Sequence, residues 1–138
     1  MEKIKLGIVV SEYNYDITMM MLERAKAHAE FLGVKVEREI KVPGVFEIPL
    51  AVKTILNDVD AAVALGCVIE GETKHDEIIM HNAARKLEDI MLDTGKPIGL
   101  GISGHGQSRL QAEARIEKAK EAVESAVKMI KLMKQNEN

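Results

Sequence analysis

Nine consecutive residues, Ala61–Ile69 (AAVALGCVI), carry no charge and no strongly polar side chain. A run this short and this apolar reads as a strand buried on both faces. Such a strand needs helices above and below it, so its neighbours in sequence decide the fold. Residues 3–10 (KIKLGIVV) form a second apolar run. Residues 16–33 follow with Ile17, Met21, Ala25, Ala29 and Leu32 at helical spacing and Gly33 as a stop. Residues 34–42 (VKVEREIKV) alternate apolar and polar, the mark of an edge strand. A bend (PGVFEIP) leads to a short helix expected over residues 49–57.

Beyond the apolar run, residues 75–95 are expected to be helical, with Ile79, Ala83, Leu87 and Ile90 on one face. Residues 97–103 (PIGLGIS) read as a fourth, glycine-rich strand. A single long helix is expected over residues 107–134, with Ile116, Ala119, Val123, Ala126, Ile130 and Met133 as its stripe. Strands separated by helices pair in parallel through right-handed crossovers. The expected fold is α/β: one domain over residues 1–138, a flavodoxin-like three-layer sandwich. Its parallel sheet has four strands in the order 2-1-3-4, flanked by helices on both faces.

Charge and composition narrow the function. The formal net charge is −3 and no long basic block is present, which argues against nucleic acid or a membrane surface as partner. No apolar run approaches membrane-spanning length. The single cysteine, Cys67, rules out an intrachain disulfide and fits a reduced, cytoplasmic setting.

In open parallel sheets, ligands bind beyond the carboxyl ends of the strands. The four loops there are SEYNYD, PGVFEIP, CVIEGETKHD and SGHGQSR, and they hold nearly all the unusual residues of the chain. In the third loop, Gly71 permits a sharp bend and Thr73 is a good N-cap, with Asp76 three residues on, as in a capping box. His75 then falls in the first helical turn. The positive end of the helix dipole disfavours its imidazolium and leaves the neutral form that a general base needs. Free backbone N–H groups at the same place suit a phosphate. The same letters also suit a plain cap beside a solvated histidine.

Three stretches, VPGVFEIPLA (residues 42–51), GCVIEGETKHDEI (66–78) and GISGHGQSRLQAEARIEKAKEAVESAVKMI (101–130), resemble the lumazine synthases, the third closest to the archaeal type. The likeness runs in order over nearly the whole chain. It implies a 6,7-dimethyl-8-ribityllumazine synthase, a transferase of riboflavin biosynthesis that joins 5-amino-6-(D-ribitylamino)uracil to 3,4-dihydroxy-2-butanone 4-phosphate. Phosphate and water are released, with no cofactor and no metal.

The resemblance also implies roles. Tyr13, beside Asn14, stacks on the pyrimidine. Val45, Phe46 and Glu47 bind the ribityl chain, where a carboxylate suits a row of hydroxyls. Cys67, Val68 and Ile69 wall the pyrimidine edge, and no thiolate chemistry is expected of Cys67. Gly71, Glu72 and Thr73 form the phosphate turn, and His75 is the general base. Arg109 clamps the phosphate, helped by Lys118, with Arg115 as the open alternative because the alignment needs a gap there. Leu100 stands where an aromatic covers the other pyrimidine face. Glu72 inside the phosphate turn and Glu70, where bacterial members often carry arginine, depart from the pattern, and His105 has no assigned role. The implied assembly is a pentamer, or a sixty-subunit shell of pentamers, with Leu100, Arg109 and Lys118 supplied by the adjacent subunit. Met19, Met20, Met21, Met80 and Met91 exceed what one core stripe needs; they suit subunit contacts or core filling.

Rival readings fail or separate at particular residues. A phosphorylation receiver needs an aspartate where this chain has Gly66 and Cys67. A flavodoxin needs a phosphate loop where it has SEYNYD. An archaeal-type riboflavin synthase, or a shell that binds flavin-like rings without turnover, separates from the synthase by its product.

Overall fold

A computed structural model describes residues 3–71 and 75–136. The chain alternates strand and helix: β1 (Lys5–Ser11), α1 (Tyr15–Phe31), β2 (Lys35–Val42), α2 (Ile48–Ile55), β3 (Ala61–Ile69), α3 (Asp76–Thr94) and β4 (Ile98–Gln107), then α4 (Arg109–Ala114) and α5 (Lys118–Asn136). Single 3₁₀ turns at Val45–Glu47 and Leu56–Asp58 bracket α2. The four strands are parallel in the order β2-β1-β3-β4, as the sequence implied.

The pleat sends successive side chains to opposite faces. Ile8, Val10, Val63 and Leu65 pack against α1, α4 and α5, around Ile17, Met21, Ala112 and Val123. Val9, Ala62, Ala64 and Val68 pack against α2 and α3, around Ile48, Val52, Ala83 and Leu87. Full burial of each large aliphatic side chain contributes about 1.5–3 kcal/mol. Every residue of β3 is buried, because both its edges are bonded and both its faces are covered. β2 alternates exposed and part-buried residues until Val42, the pattern of an edge. The arrangement is the flavodoxin-like sandwich. Among the described residues, no helix is long and apolar enough to cross a membrane.

The structure corrects the sequence reading in the last third of the chain. β4 continues past Ser103 to Gln107, and the expected single helix is two, α4 and α5, separated by a turn at residues 115–117. Gln107 causes the difference. Its fully buried side chain donates from Nε2 to the Val68 carbonyl at 3.1 Å and to Ser103 Oγ at 3.0 Å, so the chain is held on the sheet. Ser108 then caps α4: its Oγ accepts from the Gln111 N–H at 3.1 Å, and Gln111 Oε1 accepts from the Ser108 N–H at 2.9 Å. Ile116 falls in the turn, and Met133 is 37% exposed rather than part of the core. Of the methionines, Met21 is fully buried while Met20 is 47% exposed.

Candidate active site

The loops at the carboxyl ends of the strands are tied to one another. The Glu12 N–H donates to the Val42 carbonyl at 2.7 Å and the Tyr13 N–H to the Pro43 carbonyl at 3.1 Å, joining the first loop to the second. Asn14 takes a left-handed backbone with φ 64°, and its Nδ2 donates to the Cys67 carbonyl at 3.1 Å, joining the first loop to β3. Its own carbonyl accepts from the Ile17 and Thr18 N–H groups at 2.9 and 3.0 Å and starts α1. The Glu70 N–H donates to the Gln107 carbonyl at 2.8 Å, joining the third loop to β4.

These ties frame a cleft of about 310 Å³ above β1 and β3, on the side of α2 and α3. Tyr13, Pro43, Gly44, Val45, Phe46, Glu47, Cys67, Val68, Ile69, Asp76 and Ile79 line it. Tyr13 and Phe46 are 52% and 68% exposed, so two aromatic rings stand open to a ligand at its margin. Val68 lies at its floor with the α2 and α3 core, whereas the Cys67 and Ile69 side chains belong to the opposite core cluster and border the cleft from the strand. Cys67 is buried with its Sγ 3.7 Å from Gln107 Nε2, a packed thiol rather than an exposed nucleophile. Glu47 is half-buried, and its Oε1 would lie 3.3 Å from a Cβ at Gly44. Any side chain at position 44 would crowd that carboxylate.

Of the residues expected to form a phosphate turn and to act as base, Gly71 and His75 are among the described residues. Gly71 has φ +86°, the bend expected of it. Glu72 and Thr73 lie outside the described residues. α3 begins at Asp76, so His75 occupies the N-cap position (φ −128°, ψ 26°) rather than the first turn, and the capping box expected from Thr73 is not the start of this helix. His75 is exposed, and its carbonyl accepts from the Ile79 N–H at 2.9 Å. The residue after it, Asp76, lines the cleft.

Leu100, Arg109 and Lys118 are not part of the cleft lining. Leu100 is 41% exposed on β4 and borders a separate groove with Arg85, Glu88 and Met91. Arg109 pairs with Asp16 and lies 3.7 Å from Glu113 Oε1. The Arg109 hydrogen bond holds the Asp16 carboxyl below the ordinary carboxylate range. Arg115, by contrast, donates from Nη1 to Gln107 Oε1 at 3.0 Å, a neutral partner. Lys118 opens α5, part-buried.

Sequence reasoning did not name Pro43, Gly44, Asp76 or Ile79 as lining residues. Ile79 and Asp76 carry a signal: three apart on α3, they face the same way, but that spacing equally fits a core face and a cap.

A family model described as 6,7-dimethyl-8-ribityllumazine synthase matches residues 3–134. A 6,7-dimethyl-8-ribityllumazine synthase of Picrophilus torridus is 62% identical over 135 residues, covering 96% of this chain and 99% of its own. One from Methanocaldococcus jannaschii is 59% identical over 133 residues, 95% of this chain and 94% of its own. One from Methanococcus maripaludis is 56% identical over 134 residues, 96% and 98%. A match of this identity over nearly the full length of both chains leaves one conclusion: the chain belongs to the 6,7-dimethyl-8-ribityllumazine synthase family.

Proposed function

We propose that the rim cleft holds the ribitylaminopyrimidine and that the start of α3 faces the reacting end of the sugar phosphate. The chain is a riboflavin-biosynthesis transferase. It condenses 5-amino-6-(D-ribitylamino)uracil with 3,4-dihydroxy-2-butanone 4-phosphate to 6,7-dimethyl-8-ribityllumazine, with release of phosphate and water. The 5-amino group condenses with the ketone and expels water. Phosphate leaves as a proton is taken from the neighbouring carbon. The ribityl-bearing nitrogen then closes on the new carbonyl with loss of a second water.

One observation carries the assignment of the cleft: Tyr13, Phe46, Glu47 and Val68, drawn from two loops and the end of β3, line a single concavity. An exposed ring beside an apolar floor suits a pyrimidine. Stacking of a base on an aromatic side chain is worth ~1–3 kcal/mol. Glu47 accepts hydrogen bonds from ribityl hydroxyls, and the backbone of Cys67, Val68 and Ile69 meets the pyrimidine edge. His75, beside Asp76 at the cleft wall, is the general base for the proton lost with phosphate. Gly71, Glu72 and Thr73 form the phosphate turn. Amine and ketone react once aligned, so holding the two substrates in register supplies most of the acceleration.

Between the arginines, the geometry favours Arg115 over Arg109 for the phosphate clamp. Arg109 shares its charge with two carboxylates, whereas Arg115 is held by a neutral amide. A guanidinium clamps phosphate through two parallel hydrogen bonds. Because these arginines, Lys118 and Leu100 lie off the cleft of their own chain, we assign them to the cleft of a neighbour in a pentameric ring, closed further into a shell or not. Exposed Leu92, Met129, Leu132 and Met133 supply apolar surface for such contacts. A reduced, cytoplasmic setting fits the single cysteine.

The test is to mix the two substrates with the protein and follow lumazine fluorescence, subtracting the reaction without protein. Lumazine formed well above that background is expected. Formation at the background rate, or riboflavin made from lumazine alone, would overturn the reading.

A further inference from the structure

His81 and His105 meet outside the cleft. His81 is exposed on α3; His105 lies near the end of β4, between Gly104 and Gly106. Their Nε2 atoms are 3.3 Å apart, with the rings tilted 43° and centroids 5.1 Å apart. Glu77 precedes His81 by one helical turn, on the same face of α3. Its Oε1 is 3.9 Å from His81 Nε2. One ligand atom from each of the three residues lies within 4.8 Å of the others. The backbone delivers His105 there by necessity: at Gly104 (φ +96°) a Cβ would stand 2.1 Å from the Val68 carbonyl oxygen, so only glycine lets β4 run this close to β3 before the histidine.

We propose that Glu77, His81 and His105 form a binding site for a divalent transition-metal ion of borderline softness, with Zn²⁺ as the reference case. Two nitrogens bound at about 2.05 Å to a tetrahedral zinc stand roughly 3.3 Å apart. The observed separation of 3.3 Å therefore already matches one edge of that tetrahedron. Two imidazoles and a carboxylate are the donor set that zinc and its neighbours prefer over calcium or magnesium. Glu77 is on the surface, with its side chain 69% exposed, and needs only a small rotation to close the third edge. The fourth position faces solvent and takes water. The ion would strap the first half of α3 to the end of β4. This proposal is independent of the roles assigned in the cleft.

The alternative is a simple hydrogen bond from one imidazole N–H to the other's lone pair, which takes up no metal. The test uses the tag-free full chain, stripped with chelator and titrated with Co²⁺ and Zn²⁺. Expected is one Co²⁺ per chain, with the intense visible absorption of a tetrahedral centre, displaced by Zn²⁺. His81→Ala and His105→Ala each weaken uptake ten-fold or more while circular dichroism is unchanged; Glu77→Gln weakens it several-fold. In the unaltered chain, Zn²⁺ shifts the ring signals of His81 and His105, two of the four histidines, and spares His28 and His75. No saturable uptake, uptake indifferent to both histidine substitutions, or shifts at His28 or His75 instead would overturn the site.

Discussion

Arg115 and Gln107 are joined side chain to side chain, the guanidinium Nη1 donating to the buried amide Oε1 at 3.0 Å. The amide is held in turn by Val68 and Ser103, so the arginine hangs from the sheet rather than from a mobile surface chain. Arg115→Ala is therefore expected to raise the KM for the sugar phosphate by roughly 10- to 100-fold, as loss of a charge-assisted hydrogen bond of about 1.5–3 kcal/mol implies. Arg109→Ala should raise it less. Steady-state kinetics with the order reversed would return the clamp to Arg109.

His75→Ala should lower kcat by roughly 10²-fold, the low end of general-base contributions. Product should still form above background, because alignment of the two substrates survives. Rates indistinguishable from the unaltered chain would remove the histidine from the mechanism.

Tyr13→Ala should weaken binding of the ribitylaminopyrimidine by ~1–3 kcal/mol, the value of one stacking contact. Tyr13→Phe should retain most of it. Calorimetry with the pyrimidine alone reads both, and equal affinities for the alanine and phenylalanine variants would show that the ring does not stack.

Asp16 carries the pH prediction. Its folded pKa lies below the ordinary carboxylate value, chiefly through the Arg109 hydrogen bond. A depressed carboxylate contributes stability that is present above its unfolded pKa and is lost as pH falls through the folded one. The loss belongs below the ordinary carboxylate range and leaves neutral pH untouched. Carboxyl NMR titration should show Asp16 moving up toward the ordinary carboxylate range in Arg109→Ala. An unmoved titration would deny the pair in solution.

Gly99→Ala should destabilise the fold by about 1–3 kcal/mol. An added Cβ would lie 2.1 Å from the Ala122 carbonyl oxygen, a backbone atom of α5 that moves only with its helix. Urea unfolding should show a lower midpoint at unchanged slope.

The first two-thirds of the fold were legible because burial writes itself into the sequence there. β3 is apolar throughout, β2 alternates, and Ile17, Met21, Ala25 and Ala29 mark the inner face of α1. The last third was not. Residues 107–134 have helical letters throughout, yet Gln107 is fully buried on the sheet and residues 115–117 turn. What keeps Gln107 there is a set of bonds to Val68 and Ser103, distant or local partners that no periodicity announces. The cleft's aromatic and acidic residues were readable as loop chemistry beyond strand ends. The start of α3 was not, since a threonine with an aspartate three residues later suits a cap at either Thr73 or beyond.

Because the end of β3 is paired with β4 through Ile69 and its Cys67 carbonyl is held by Asn14, the base of the cleft is fixed before any ligand arrives. A ligand that fits finds its seat already made and loses little on ordering the protein, while one that is slightly too large meets resistance from the entire sheet. On the proposed placement of the pyrimidine in this cleft, tolerance toward altered rings would reside in the residues around the margin, Tyr13 and Phe46 first among them.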